Sequence, residues 1–445
     1  MSVLTVATVP GLLSEVAHAA TAVNCPGDNL QTAINAATAG DTLDVSGHCT
    51  GNFTINKNLT LQGDGATVLD GNHTGSTVTV ATGVNATLSD LTVTGGTAAF
   101  GGGIDNTGTV TVQDSTVSGN TANGASGGGI FNNAGTVTVQ DSTVSGNTAT
   151  ASFAAAGGGI FTNTGTVTVQ DSTVSGNTTN GNPAFGGGIH INGGTVTVQD
   201  STVSGNTVNG GGVAFGGGIN IGGTASVTAT IVSGNSVSGA GTFGPDCNGS
   251  FTSGGYNLIG NTKDCSGFVG TDLQNVDPKL DTLKDNGGPT QTMGLLAGSP
   301  ALNAIPLTAG GACMVGQTTD QRGAPRPQGV GCEIGALEKG KSTTAVGSSD
   351  TSSTSGQPVT FTATVCANPS SLPATPTGTV KFREGGTGPV LSSGVSLAPG
   401  GGTHCAQAQL TTSSLSSGRH KIVAIYSGDG ANIKSRGSVI QHVAA

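Results

Sequence analysis

The sequence predicts an all-β protein whose main part is a parallel β-helix of three sheets and about eight or nine coils, followed by a β-sandwich. Three observations predict this fold. One phrase, GGGI followed after a spacer by TVTVQDSTVSGNT, recurs between Gly101 and Ser236. Its period is 26 to 30 residues, which is typical of solenoids. Within the phrase, apolar residues alternate with Thr or Ser, and this period of two favours strands over helices.

Each part of the repeated phrase predicts one element of a coil. GGGI with its successor, TVTVQ and STVSGN are three short strands, and in Thr109–Val112 the valines face one side and the threonines the other. One repeat cannot bury a core alone, so neighbouring coils must stack in parallel about 4.8 Å apart around a Val and Ile interior. The Gly triplets allow positive φ at a corner, and no GKS or GKT sequence marks them as a phosphate loop.

The Asn of the SGN sequence recurs at one position of each repeat. Stacked side-chain amides at that position are predicted to hydrogen-bond from coil to coil, and Asn also tolerates the backbone of a tight turn. We interpret this ladder as structural. Its members are Asn120, Asn147, Asn177, Asn206 and Asn235.

Composition and charge exclude some partners. The 445 residues include 79 Gly, 14 Lys or Arg and 24 Asp or Glu, and the formal net charge is -10. Nucleic-acid affinity depends largely on Lys and Arg that neutralise phosphates, so we expect no nucleic-acid partner. No stretch has the roughly 18 apolar residues that a membrane span needs.

The cysteines and the N-terminus favour export. An even number of cysteines without a CxxC spacing fits disulfides, and eight cysteines allow 105 connectivities. Our hypothesis is nearest-neighbour pairing. It pairs Cys25 with Cys49, Cys247 with Cys265, Cys313 with Cys332 and Cys366 with Cys405.

Residues 1–19 are predicted to be a signal peptide. The apolar stretch Val3–Leu13 precedes Ala17-His18-Ala19, an A-x-A cleavage pattern, although no Lys or Arg precedes the stretch and Glu15 follows it. We therefore expect a protein that is secreted, extracellular or attached to the cell surface.

The segments on either side of the repeats carry a family resemblance. The first is CPGDNLQTAINAATAGDTLDVSGHCTGNFTINKNLTLQG, which begins at Cys25 and has apolar residues at helical spacing from Leu30 to Ala37. The others are DNGGPTQTMGLLAGSPALNA, from Asp285, and DQRGAPRPQGVGCEIGALE, from Asp320. With the repeats, these segments resemble secreted bacterial proteins with right-handed parallel β-helix repeats, of the pectin-lyase-like superfold.

The resemblance implies a division of the chain. Residues 20–63 would form an N-terminal capping segment with a short helix, residues 64–270 the β-helix repeats, and residues 271–340 the closing segment. A Ser- and Thr-rich linker is predicted at 341–355. Residues 356–445 alternate apolar and polar residues between turns, which favours a β-sandwich, and they resemble a bacterial immunoglobulin-like domain.

The superfold includes polysaccharide lyases and hydrolases, but the residues argue against catalysis here. Lyases of this kind use a basic side chain, and residues 58–262 contain no Lys and no Arg. Hydrolases need two carboxylates at a defined separation. The repeats instead offer four equivalent aspartates in a ladder, whose neighbours would repel one another. They are Asp114, Asp141, Asp171 and Asp200.

We expect these aspartates to cap turns on a solvated corner, and the chain to have no catalytic residue and no cofactor. Calcium bridging between coils and catalysis by an Asp pair are the alternatives. His73 and His190 are predicted to face solvent. Arg322 and Arg326 are predicted to pair with carboxylates of the closing segment.

The expected function is therefore that of a non-catalytic secreted surface or extracellular protein, structural or adhesive. Its expected partners are further copies of itself, assembled into filaments, or surface glycans. The alternative is a polysaccharide lyase or glycoside hydrolase. A third hypothesis is ice binding, because Thr109 and Thr111 and their counterparts in the next coils form two outward Thr columns.

Overall fold

The computed structural model describes residues 21–311, 313, 315–367, 374–385 and 389–445. The predicted signal peptide lies outside these residues. The described chain is nearly all β, with a parallel β-solenoid of about eight turns followed by an immunoglobulin-like region of antiparallel sheets. The predicted fold class is thus confirmed.

Three parallel sheets form the solenoid. The first has 17 strands: Thr21–Cys25, Thr42–Thr50, Leu59–Asp70, Asn85–Thr94, Thr109–Gln113, Thr116–Ser118, Thr136–Gln140, Thr143–Ser145, Thr166–Gln170, Thr173–Ser175, Thr195–Gln199, Thr202–Ser204, Thr224–Thr228, Ile231–Ser233, Thr252–Gly255, Leu258–Ile259 and Leu273–Gln274. The second has ten strands: Thr97–Phe100, Thr121–Ser126, Thr148–Thr150, Ala155–Ala156, Thr178–Gly181, Ala184–Phe185, Thr207–Gly210, Val213–Phe215, Ser236–Ser238 and Gly241–Phe243. The third has nine strands: Phe53–Ile55, Val78–Val80, Ile104–Asn106, Ile130–Asn132, Ile160–Thr162, Ile189–Ile191, Ile219–Ile221, Cys247–Ser250 and Cys265–Ser266.

Successive coils stack with identical residues side by side. In the TVTVQ strands, Thr136 lies beside Thr109 and Thr166, and Val137 lies beside their neighbouring valines. The valines are fully buried and the threonines face outward. The first sheet contributes two strands to each repeat, TVTVQ and TVS, where the sequence analysis predicted one strand per sheet.

A short helix follows the first strand, as predicted. It spans Leu30–Ala36, and the side chain of Asn29 caps it by accepting a hydrogen bond from the Thr32 N–H at 2.9 Å. Leu30 and Ile34 are buried in the interior of the solenoid. The helix therefore covers apolar residues of the first coils.

The Gly triplets are needed because the coils approach closely at that corner. The first Gly has positive φ, as in Gly157 at 64°. A Cβ added at Gly129 would lie 2.7 Å from the carbonyl oxygen of Gly159 in the next coil, which is too close for any real side chain. The corner thus excludes every residue that carries a Cβ.

The predicted Asn positions form one buried column. The Nδ2 of Asn120 donates to Oδ1 of Asn147 at 3.0 Å, and each later Asn repeats this bond until Asn235 donates to Asp246 at 2.9 Å. The positive φ of each SGN turn belongs to the Gly, as in Gly146, and not to the Asn. The amides serve to satisfy buried polar groups between coils.

The closing segment follows a path that the sequence analysis did not predict. Residues 280–340, here called the strap, begin with the antiparallel strands Leu280–Lys284 and Thr292–Leu295 and run back along the side of the solenoid. The side chain of Gln321 donates to the backbone carbonyl of Ser142 and to Oγ1 of Thr143, 179 and 178 residues earlier. The strap covers the outer side of the TVS strands, where Thr143, Thr173 and Thr202 are buried.

The predicted linker is wrong, because most of it is structured. The segment alternates outward and inward residues, and it supplies strands to both sheets of the C-terminal sandwich. One sheet contains Ser342–Ser348, Val359–Ala367, Ala398–Pro399 and Cys405–Thr412. The other contains Ser352–Thr354, Thr379–Glu384, Val390–Ser396, Gly418–Tyr426 and Ser435–Ala444.

Backbone hydrogen bonds join the sandwich to the strap. The Leu295 N–H donates to the Gly430 carbonyl at 3.1 Å, and the Gly340 N–H donates to the Ala431 carbonyl at 2.8 Å. The Lys339 ammonium, which is buried, donates to the Leu295 carbonyl at 2.7 Å.

Four disulfides are present, and they are the nearest-neighbour pairs. They join Cys25 to Cys49, Cys247 to Cys265, Cys313 to Cys332 and Cys366 to Cys405. The described chain contains no free cysteine.

The Asn column predicts a specific loss of stability. Asn177→Ala should lower the free energy of unfolding by about 1 to 3 kcal/mol, because the backbone N–H and the Nδ2 of Asn147 lose their acceptor and the buried Val144 carbonyl loses its side-chain donor. Urea unfolding followed by circular dichroism measures the change. Asn163→Ala is the matched control, since Asn163 belongs to a similar Asn ladder at the surface and should cost less than about 0.5 kcal/mol. Equal losses in the two variants would contradict the structural role of the buried column.

Candidate functional site

The four predicted aspartates lie where the TVTVQ strand meets the TVS strand. All four have positive φ, between 44° and 51°. Asp accepts this backbone conformation more readily than most residues because its short polar side chain can hydrogen-bond locally. Asp90 occupies the same place one coil earlier and Ala229 one coil later. The recurrence of Asp is therefore explained first by the backbone.

The expectation of a solvated corner is wrong for two of the four. Asp114 and Asp141 are half-buried, but Asp171 is 2% exposed and Asp200 is fully buried. The physical reason is the strap, whose residues near Asp320 and Arg326 lie over the last coils. The stacked aspartates are thus progressively closed off from solvent along the solenoid.

A buried network of charges stabilises the fold of the strap. The Arg322 guanidinium donates twice to Oδ2 of Asp320, at 2.8 and 3.0 Å, as a charge-assisted pair. Arg326 donates to Oε2 of Glu338 at 3.3 Å, and that carboxylate also accepts from the backbone N–H groups of Gln328 and Glu333. Both arginines are buried, and their predicted pairing with carboxylates of the closing segment is confirmed.

The buried aspartates have strongly raised pKa values. Burial is the main cause, and it raises the pKa of Asp141 to about 7, of Asp171 to about 8 and of Asp200 to about 6. The neighbouring Asp114 raises the pKa of Asp141 further, whereas the positive charge of Arg326 opposes the rise at Asp171 and Asp200. These carboxyl groups therefore titrate between about pH 6 and pH 8, and Asp171 holds its proton most tightly.

The inner aspartates have few hydrogen-bond partners in the described structure. Within the described structure, both carboxyl oxygens of Asp200 lack a hydrogen-bond partner. The Oδ1 of Asp171 also lacks one. Among the described residues, no group of three or more His, Cys, Asp or Glu side chains is placed to hold a metal ion. The structure brings the four candidates into one column, but it closes the inner two beneath the strap, where a polymer substrate has no access.

The histidines differ from their predicted surroundings in one case. His73 is exposed, but His190 is 7% exposed, and burial lowers its pKa to about 4. Its ring lies 5.4 Å from Phe161 and 5.4 Å from Phe185, and its Nδ1 contacts Nδ2 of Asn220 at 2.9 Å. The sequence analysis missed this because these rings come from different coils and strands.

His190 belongs to a column of aromatic rings along the glycine corner. Phenylalanine rings stack at 4.9 to 5.1 Å, with nearly parallel planes between Phe131 and Phe161 and between Phe185 and Phe215. The ring faces are therefore covered by the neighbouring rings, and only ring edges point away from the column. This geometry stabilises the stack and leaves little ring face for a ligand.

The outer face of the TVTVQ strands is the most regular open surface of the solenoid. Two Thr columns lie in register through successive coils, and the residues of one column are exposed from Thr136 onward while those of the other are half-buried. The columns are Thr109, Thr136, Thr166, Thr195 and Thr224, and Thr111, Thr138, Thr168 and Thr197. The TVTVQ strands themselves contain no charged residue.

The described architecture is that of a parallel β-solenoid with an appended immunoglobulin-like sandwich. Residues 346–444 match the model of the bacterial Ig-like domain (group 3), which confirms the predicted C-terminal domain. Comparison with curated proteins and with solved structures gave no match. In the described part of the chain, no helix has the length and apolar character to cross a membrane.

The ladder predicts a stability that falls as pH rises. Each inner carboxyl binds its proton more tightly in the folded chain than in the unfolded chain, where its pKa is near 3.9. Its contribution is therefore complete below about pH 4 and is lost as the pH rises through 6 to 8. Urea unfolding should show a lower free energy of unfolding at pH 8 than at pH 5. The upper limit of the loss is about 1.4 kcal/mol for each carboxyl group and each unit by which its pKa is raised.

Two substitutions separate the ladder from other carboxyl groups. Asp171→Asn should raise stability at pH 8 and flatten the pH profile. Asp64→Asn is the control of opposite sign, because hydrogen bonds from Thr67 and Ala66 lower the pKa of that exposed carboxyl. A pH profile that Asp171→Asn leaves unchanged would contradict the role of the ladder.

Proposed function

We propose that the protein is a non-catalytic extracellular or cell-surface protein in which a β-solenoid rod carries an immunoglobulin-like adhesive domain. The observation that carries this proposal is the closed acid ladder. The aspartates that could have formed an acid and base pair are stacked, burial raises their pKa values, and the strap covers the inner two, Asp171 and Asp200. The most conspicuous acidic feature of the rod thus has a structural explanation.

Other features support an extracellular location. Four disulfides in the described chain fit an oxidising environment, because cytosolic thiols are kept reduced. The Ig-like domain and the solenoid are both compatible with a surface or adhesive protein. The uncharged Thr and Ser face of the rod suits a spacer that holds the domain away from its point of attachment.

Turnover is the sharpest test against an enzyme. The purified full chain, incubated with polygalacturonate, xylan, cellulose and chitin, should release no reducing ends and no unsaturated products above a blank. Asp141→Asn is the matched variant, because Asp141 combines partial exposure with a pKa near 7. If the native chain releases products and the Asp141→Asn variant does not, the protein is an enzyme and our proposal is contradicted.

Location is tested separately in the producing cells. Protease treatment of intact cells, followed by immunoblotting of cells and medium, should remove or reveal the protein while a cytosolic marker stays intact. Recovery of the chain only with the cytosolic marker would contradict an extracellular role. Light scattering of the purified chain tests self-association, and a mass above the monomer would extend the proposal to filaments or other assemblies.

A second candidate function is ice binding, which the Thr columns favour. Hydroxyl and methyl groups repeat about 4.8 Å apart between coils and about 6.7 Å apart along the strand, as a flat uncharged array. Such an array can match the regular oxygen positions of an ice surface. This function would use the rod and leave the role of the Ig-like domain unchanged.

The Thr face predicts a measurable effect on ice. If it binds ice, the purified chain should slow ice recrystallisation, and Thr168→Tyr at the centre of the array should abolish the effect by breaking its flatness. Thr79→Tyr is the matched control, since Thr79 lies outward on another sheet of the rod. Recrystallisation at the rate of a buffer and albumin blank, or equal loss in both variants, would eliminate this candidate.

A further inference from the structure

The charge of the chain is divided unequally between its two parts. Residues 341–445 carry seven Lys or Arg and three Asp or Glu, a formal charge of +4, although the whole chain has a net charge of -10. The TVTVQ repeats contain no Lys or Arg at all. The positive charge is therefore concentrated in the C-terminal part of the chain, which contains the Ig-like domain.

Five of those cations lie on one face of the Ig-like domain. In the five-stranded sheet, the inward residues of the strands Thr379–Glu384 and Gly418–Tyr426 include Phe382, Ile422 and Tyr426, which are fully buried. Alternation along each strand places the intervening cations outward. The members of this cationic face are Lys381, Arg383, Arg419, Lys421 and Arg436.

The strand register brings the cations close together. Ile425 on the central strand pairs with Lys381 on one side and with Arg436 on the other. Lys381 and Arg436 are therefore two strand spacings apart, about 10 Å. Arg383 is opposite Val423 on the central strand. Val423 and Ile425 thus form a small apolar floor between the charged side chains.

The cations of this face are not neutralised within the chain. None of the five makes a salt bridge or a side-chain hydrogen bond in the described structure, and the Nε of Arg383 is buried without a partner. Glu384 points to the other side of the sheet, where its Oε1 contacts Nδ1 of His420 at 2.6 Å. Asp429 is engaged by the backbone N–H of Thr377 and by Asn432.

Two shallow grooves cross the cationic face and share its central strand. Lys421, Val423, Arg436 and Ser438 line one of them. Lys381, Arg383, Ile425 and several Ser and Thr residues line the other. Together they offer positive charge, hydroxyl groups and a narrow apolar floor along an open path that a linear polymer could follow.

We propose that this cationic face binds an anionic polysaccharide whose carboxylate groups pair with the five cations; this inference rests on the proposed adhesive function and names its ligand class. Arg groups recognise carboxylates through paired hydrogen bonds, and unneutralised cations attract a polyanion over a distance set by the salt concentration. The hydroxyl groups beside the cations suit the hydroxyl groups of sugars.

Two other anionic occupants fit the face less well. Nucleic-acid single strands bind where aromatic side chains offer stacking surfaces, and the aromatic residues of this sheet, Phe382 and Tyr426, point into the core. A second copy has exposed carboxylates on its rod, as at Asp64, and on its strap, as at Asp285, but those of the central repeats are half-buried or buried, so the rod offers no continuous row of charges to the five cations. A soluble extended polyanion with sugar hydroxyls remains the best match.

The test uses the full chain and polygalacturonate as the probe, with dextran as the neutral comparison and double-stranded DNA as the alternative polyanion. We expect binding to polygalacturonate by calorimetry or affinity electrophoresis, weakening as salt rises from 50 to 300 mM, and little binding to dextran. Lys381→Glu with Arg436→Glu should weaken binding at least about tenfold, which corresponds to about 1.4 kcal/mol.

A matched variant removes the effect of net charge. Lys263→Glu with Lys341→Glu makes the same charge change at exposed positions, one on the rod and one before the first strand of the other sheet of the sandwich, and it should bind as the native chain does. Equal thermal unfolding of both variants verifies that each is folded. Equal loss of binding in both variants, absence of polygalacturonate binding, or tighter binding to DNA would each overturn the proposal.

The outcome is distinguishable from failure of the proposed function. A chain that is extracellular and does not degrade polysaccharides, but that binds no polygalacturonate, would overturn the ligand class and leave the surface role intact. A chain that degrades polygalacturonate would overturn the non-catalytic role, whatever its affinity for the polymer.

Discussion

Each coil of the rod depends on the two adjacent coils for its hydrogen bonds, and most features of the sequence follow from this dependence. A buried amide can be satisfied by the coil above only if that coil places the same group at the same height. The column from Asn120 to Asn235 meets this condition, and it ends where Asp246 accepts the last bond. The close approach of neighbouring backbones excludes every residue but Gly at Gly129 and its equivalents. Near-identity of the repeats is therefore a packing requirement.

The same stacking creates an electrostatic problem. A residue that suits the left-handed corner of one coil is repeated in the next, so four carboxyl groups lie one above another. Stacked carboxylates would repel one another, and burial makes ionisation still less favourable. Raised pKa values favour the neutral form of these carboxyl groups. The positive charge of Arg326, which lies near Asp171 and Asp200, offsets part of the remaining repulsion. The strap is held against this corner by Thr290, which donates to the Asp141 carbonyl, and by Gln321, which donates to the Ser142 carbonyl.

The repeat period predicts the fold of the rod, but no sequence pattern predicts the path of the strap. The alternation in TVTVQ indicates which residues face inward, and a common phrase in each coil indicates the register. The helix at Leu30–Ala36 also follows from apolar spacing. Gln321, however, contacts residues 178 and 179 positions earlier, and no periodic pattern connects them. The burial of Asp200 and the aromatic surroundings of His190 depend on such distant contacts, so composition alone indicated solvent.

In the Ig-like domain, by contrast, local sequence patterns do indicate the cationic face. The sequences KFR and RHK place cations on alternate residues of adjacent strands, and alternation alone puts them on one side of a sheet. Their meaning depends on what else shares that side, and the register shows Val423 and Ile425 there but no carboxylate. The contacts with the strap lie at Gly430 and Ala431 and involve none of the five cations. The rod can therefore hold the domain by one end while its charged face stays open, which separates support from recognition within one chain.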